Sequence, residues 1–148
     1  MLAEYQIPLA PLTVETAQGE HKLVLEKAVK QVGFLPNMYA RMVHSPGLLN
    51  TYLDGYAAFR QGSGFTAIEQ EVVFLTISRA NGCEYCVSAH SALADMKSKV
   101  PKEVTDAIRN GDAIADGRLS ALTTFVERMV RSRGLPTRAE VSAFHAAG

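Results

Sequence analysis

No run of large aliphatic or aromatic side chains in this sequence is longer than the four residues Val72–Leu75. A membrane-crossing helix needs about 20 apolar residues, so none is expected, and no membrane partner with it. Nor is there an excess of charge of either sign: fifteen Lys and Arg balance fifteen Asp and Glu. Without a global field or a basic run, nucleic acid is not an expected partner either. The N-terminus, MLAEYQIPLAPL, lacks the positive start and continuous apolar stretch of a secretory signal, which makes a cytoplasmic location the expectation. No alternating strand pattern, internal repeat or low-complexity segment is present. Cysteine is scarce as well, with two residues in the chain. In a reducing compartment such a pair is expected to be catalytic or metal-binding and not a permanent bridge.

What is present reads as an ordinary globular protein, 47% hydrophobic and 20% charged, and the 148 residues suffice for one domain over 1–148. Pro8 and Pro11 imply an extended arm over residues 1–15, lying on another surface. Leu25, Ala28, Val29 and Val32 recur at helical spacing, predicting a helix from about Glu20 that Gly33 and Pro36 break. Asn37 is placed to cap a short second helix. Pro46 opens a third, with Leu49, Tyr52, Leu53, Tyr56 and Phe59 on one face. Thr66 and Glu69 form a capping box, and the helix behind it carries Ile68, Val72, Val73, Phe74, Leu75 and Ile77 around most of its circumference, so it is expected to be buried on most sides. A helix starting at the cysteines is expected to reach about Met96. A short one follows Pro101 as far as Ile108, and then one with Leu119, Leu122, Phe125, Val126, Met129 and Val130 facing inward. A second capping box, Thr137 and Glu140, starts the last. The expected fold is all-α, with about seven helices and the Cys-x-x-Cys at the start of a central one.

The chemistry concentrates in NGCEYCVSAH, Asn81–His90. Asn81 is placed to cap a helix starting at Gly82, which puts Cys83 in the first turn, where free amides and the helix dipole favour a thiolate. Helical geometry brings the α-carbons of Cys83 and Cys86 to roughly 5 Å, inside the disulfide window. His90 lies one turn beyond Cys86 on the same face and is placed to take the thiol proton. Ser88, Ala89, Ser91 and Ala92 are small and leave room over the sulfurs. Glu71 sits among Val72, Val73, Phe74 and Leu75, where a carboxylate needs a partner. If the turn at Asn81–Gly82 folds the two helices back to back, Glu71 reaches His90 directly or through one water. Glu69 is expected to serve the cap alone, and His21, His44 and His145 to be structural or solvated. Which cysteine attacks stays open on these grounds. The dipole favours Cys83, whereas Glu84 beside it and the spacing to His90 favour Cys86.

Glu71, Cys83, Cys86 and His90, read as Glu-x11-Cys-x2-Cys-x3-His, resemble the signature of the alkylhydroperoxidase AhpD-like family within the carboxymuconolactone decarboxylase superfamily. The segment VGFLPNMYARMVHSPGLLNTY resembles the peroxidase-related branch, so the likeness covers roughly residues 30 to 95. The resemblance implies a thiol-dependent peroxidase. In that role Cys86 becomes a sulfenic acid on attacking a hydroperoxide, Cys83 resolves it as a disulfide, and His90 and Glu71 relay the proton. It implies no cofactor and no metal, a hydroperoxide substrate, a dithiol reductant such as a lipoyl-bearing protein, and a homo-oligomer, trimer or hexamer. One departure stands out: Tyr85 occupies the place of a second histidine. A phenol titrates near 10 and cannot replace an imidazole as base at neutral pH, though it can donate a hydrogen bond to a sulfur or peroxide. Longer relatives continue with more helix after AEVSAFHAAG, and contacts made there are expected to be missing. Three rival readings remain: a zinc site using Cys83, Cys86, His90 and Glu71, a decarboxylase of a muconolactone-like acid that does not use the dithiol, and a redox-sensing helical oligomer without turnover.

Overall fold

The computed structural model describes residues 8–148, which hold eight α-helices and no strand. They gather into two compact units, 8–63 and Gly64–Gly148. The arm expected over 1–15 begins outside the described residues, and residues 8–13 have no regular secondary structure.

In the first unit, α1 spans Gly19–Val32, α2 Asn37–Met42 and α3 Pro46–Gly62. Leu25 and Ala28 of α1, Val43 after α2 and Leu49 of α3 are fully buried, with Val24, Tyr39 and Leu53 around them. Removing this apolar surface from water contributes about 1.5–3 kcal/mol for each large side chain. Asn37 does not cap α2: the carbonyl of Pro36 receives the first amides, those of Tyr39 and Ala40, so Asn37 is already inside the helix. The chain before α1 is held to α2 and its exit by polar contacts. The Leu12 amide donates to the Ala40 carbonyl, Arg41 Nη1 donates to the Leu9 carbonyl at 2.8 Å, and His44 Nε2 meets the Ala10 carbonyl at 2.7 Å. His44 thus has a structural role.

The second unit contains α4 (Ala67–Ala80), α5 (Glu84–Leu93), α6 (Lys102–Asn110), α7 (Gly117–Arg131) and α8 (Arg138–Ala146). Helix α4 packs against α5, α6 and α7, which is why its apolar residues run around most of its surface. Five of its polar side chains are buried too, and each has a partner. Thr76 and Ser78 donate back to the carbonyls one turn earlier, Gln70 donates to the Phe65 carbonyl, Glu69 takes Arg118, and Glu71 takes His90. An unpartnered group in any of these places would cost about 1–3 kcal/mol.

Two expectations need correction here. The helix carrying the cysteines does not run as an α-helix to Met96. It ends at Leu93 and continues as a π-helical turn, Ala94–Ser98, which keeps Ala94 fully buried beside α4 while Asp95, Met96 and Lys97 face solvent. In α7 only Leu119 and Leu122 are buried. Phe125, Val126, Met129 and Val130 are half-buried, and Phe125 stacks on Phe144 of α8 at 4.4 Å between centroids.

Both capping boxes are present. Glu69, however, does more than cap. Its Oε2 accepts the Thr66 amide at 2.8 Å, while its Oε1 accepts Nε of Arg118 from α7, also at 2.8 Å. The Thr66 amide is the largest cause holding the Glu69 carboxyl below its ordinary value of 4.5, Arg118 adds to it, and burial opposes both. A carboxyl lowered on folding stabilises the protein above its unfolded pKa, and that stability is lost as pH falls through the folded value. Glu69→Gln is therefore expected to flatten the acid limb of a plot of urea midpoint against pH, below about pH 4.5. Thr66→Ala, which removes the reciprocal acceptor, is expected to cost about 1 kcal/mol at neutral pH.

Candidate active site

The turn between α4 and α5 places the cysteines. Gly82 adopts φ +66, a left-handed conformation that a residue with a β-carbon enters only at a cost. With Gly82 there, its amide donates to the Arg79 carbonyl and the Cys83 amide to the Ser78 carbonyl. This paired arrangement closes a helix. Asn81 is consequently the αR C-cap of α4 and does not cap the next helix. Cys83 takes that role. Its Sγ accepts the amide of Cys86 at 3.2 Å, and α5 begins at Glu84. One residue thus ends α4 through its backbone and starts α5 through its sulfur. Cys86 lies in the first turn of α5, so the helix dipole acts on both sulfurs.

Cys83 and Cys86 are joined as a disulfide with α-carbons 5.3 Å apart. Both residues are half-buried. Ser88, Ala89 and Ala92 are exposed beside them, and Ser91 is turned inward. Tyr85, between the cysteines, is 46% exposed and presents its ring to solvent.

His90 comes from the end of α5 and Glu71 from α4, and the two meet directly, Nδ1 to Oε2 at 2.9 Å. Glu71 is 1% exposed. An ionised carboxylate only accepts hydrogen bonds, so beside it Nδ1 carries a proton, and in the neutral imidazole Nε2 keeps its lone pair. His90 is one helical turn after Cys86 on the same side of α5. The arrangement is a buried acid bonded to an imidazole one helical turn from a disulfide. The sequence marks Phe74 as one of the apolar residues around α4 but does not reveal its contact with His90. Its ring lies parallel to the His90 imidazole, with centroids 4.8 Å apart and planes within 7°. The available signal was its position three residues after Glu71, on the same face of α4.

Among the described residues no three His, Cys, Asp or Glu side chains cluster so as to hold a metal ion, and no helix is long and apolar enough to cross a membrane. A family model described as "Carboxymuconolactone decarboxylase family" matches residues 46–128. No curated protein matches the chain.

Proposed function

The chain belongs to the carboxymuconolactone decarboxylase family, and from that premise we propose that it is a thiol-dependent peroxidase of the AhpD-like type. The observation that carries this reading is the 2.9 Å bond from His90 to the buried Glu71, one turn from a Cys-x-x-Cys pair already closed as a disulfide. In the reduced protein, Nε2 of His90 takes the proton of the Cys86 thiol, and Glu71 stabilises the imidazolium that forms. The Cys86 thiolate attacks the terminal oxygen of a hydroperoxide. The O–O bond breaks, Cys86 becomes a sulfenic acid, and the alkoxide leaves as alcohol with the proton returned from His90. The Cys83 thiol then displaces water from the sulfenic acid, forming the disulfide. A dithiol donor, such as a lipoyl group on a partner protein, reduces the pair by exchange and is itself oxidised to its disulfide.

A reducing location such as the cytoplasm suits this cycle, as does a homo-oligomer, trimeric or hexameric, of the kind the family resemblance implies. Tyr85, exposed between the cysteines, would serve as an auxiliary hydrogen-bond donor to a substrate or partner.

Reduced protein mixed with one equivalent of an alkyl hydroperoxide should consume it and lose two hydrogens by mass, with the new bond mapped to the Cys83–Cys86 peptide. Added dihydrolipoamide should then support repeated turnover. Peroxide loss no faster than with free thiol would leave the proposal without support. The decarboxylase alternative makes the opposite demand, since it requires turnover of a lactone acid by protein in which Cys86 is serine.

A further inference from the structure

The imidazole of His90 is held at two places. The Glu71 carboxylate fixes Nδ1. A single hydrogen bond of this kind leaves the ring free to tilt about it, because the second torsion of a histidine side chain has a broad energy profile. The Phe74 ring removes that freedom: it lies 4.8 Å from the imidazole and parallel to within 7°. Glu71 and Phe74 are three residues apart on α4, so one face of one helix supplies both constraints.

Phe74 is not packed like its neighbours. Val72, Val73 and Leu75 are 1%, 9% and 1% exposed, whereas Phe74 is half-buried. A core-filling role accounts for the first three. Phe74, less deeply buried, makes the coplanar contact with His90. Aromatic pairs in this offset arrangement are worth about 0.5–1.5 kcal/mol beyond the area they bury, enough to hold a side chain in one orientation most of the time.

We infer that Phe74 is a positioning residue for His90, holding the imidazole plane so that Nε2 stays aimed along the cysteine-bearing side of α5 while Glu71 holds Nδ1. The inference rests on the proposed peroxidase reading for its kinetic consequence, but not for its structural one. The Phe74 side chain has no acid, base or nucleophile to contribute. Its contribution is to keep the base from exploring orientations in which the Cys86 proton is out of reach.

The test compares Phe74→Tyr, which keeps the ring, with Phe74→Met and Phe74→Leu, which keep apolar bulk without it; swaps of this kind are tolerated best. Nitrogen-15 NMR of reduced protein reports the His90 tautomer and ring mobility, thermal melting reports folding, and stopped-flow reports hydroperoxide consumption. Phe74→Tyr should keep the wild-type Nδ1–H tautomer and a rate within about twofold, the loss expected being well under the ~10-fold of a failed orienting contact. Met and Leu should leave Nδ1–H on Glu71 but give a more mobile imidazole ring and a rate lower by about 10-fold or more. Unchanged ring mobility in a folded Met or Leu variant would overturn the inference, and so would a Tyr variant as impaired as Met. Should Leu fail to fold, Met decides. If wild-type protein consumes no hydroperoxide, the peroxidase proposal fails, while the NMR comparison still decides whether Phe74 orients His90.

Discussion

Cys86→Ser is expected to reduce hydroperoxide consumption to the rate seen without protein, the largest effect of any single substitution in this chain. The serine hydroxyl keeps the shape and the spacing to His90, but it lacks a sulfur to receive the peroxide oxygen. Cys83→Ser should behave differently. It retains the attacking thiol, completes one turnover, and stops as a Cys86 sulfenic acid that dimedone traps and mass spectrometry locates. The structure sharpens this contrast, because Cys83 Sγ accepts the Cys86 amide and caps α5. An amide pointing at Cys83 favours a thiolate there, while the histidine one turn on favours deprotonation of Cys86. If dimedone instead labels Cys83 in the Cys86→Ser protein, the two roles are exchanged. Because serine also accepts hydrogen bonds as an N-cap, Cys83→Ser should leave α5 intact, and its melting temperature serves as the control.

Glu71→Gln should slow the first turnover by about 100-fold while leaving the fold in place, a size typical for loss of acid–base assistance. The amide has nearly the same volume and can still meet His90 Nδ1. It carries no charge to stabilise an imidazolium, and it presents either an oxygen or an NH2 group, so it no longer dictates which ring nitrogen holds the proton. Glu71→Leu goes further. It leaves the His90 Nδ1–H without its partner at a site 12% exposed, and is expected to cost about 1–3 kcal/mol of stability as well as activity. Circular dichroism melts beside peroxide stopped-flow separate the two effects. A Gln variant that keeps the full rate would remove Glu71 from the proton path and leave it as the structural partner of His90.

Several features of the site could be read directly from residue spacing. The Cys83–Cys86 separation is one, since three residues of helix fix the α-carbon distance whatever packs around them; the value found is 5.3 Å. The capping boxes at Thr66 and Thr137 are others, each closed within a single turn. The approach of Glu71 to His90 required more, namely a reversal at Asn81–Gly82 tight enough to bring α5 back along α4. Gly82 at φ +66 supplies that reversal. What spacing misplaced was the exact start of α5: Asn81 looks like the better cap by residue type, but the closing bonds of α4 claim it and pass the role to Cys83.

By itself, the order of residues determined the all-helical class, the places where most helices start and stop, and the grouping of two sulfurs, an imidazole and a carboxyl within a few turns. These depend on torsional preferences and hydrogen bonds between residues no more than about five apart, which a linear chain specifies locally. Only the tertiary structure decided the rest: that Phe74 lies flat against His90, that Glu69 reaches Arg118 forty-nine residues away, that the far half of α7 is only half-covered, and that α5 gives way to a π turn at Ala94. Each of these depends on how far one helix is rotated about its axis against another. That rotation is settled by the packing of whole faces together, and no short stretch of sequence contains it.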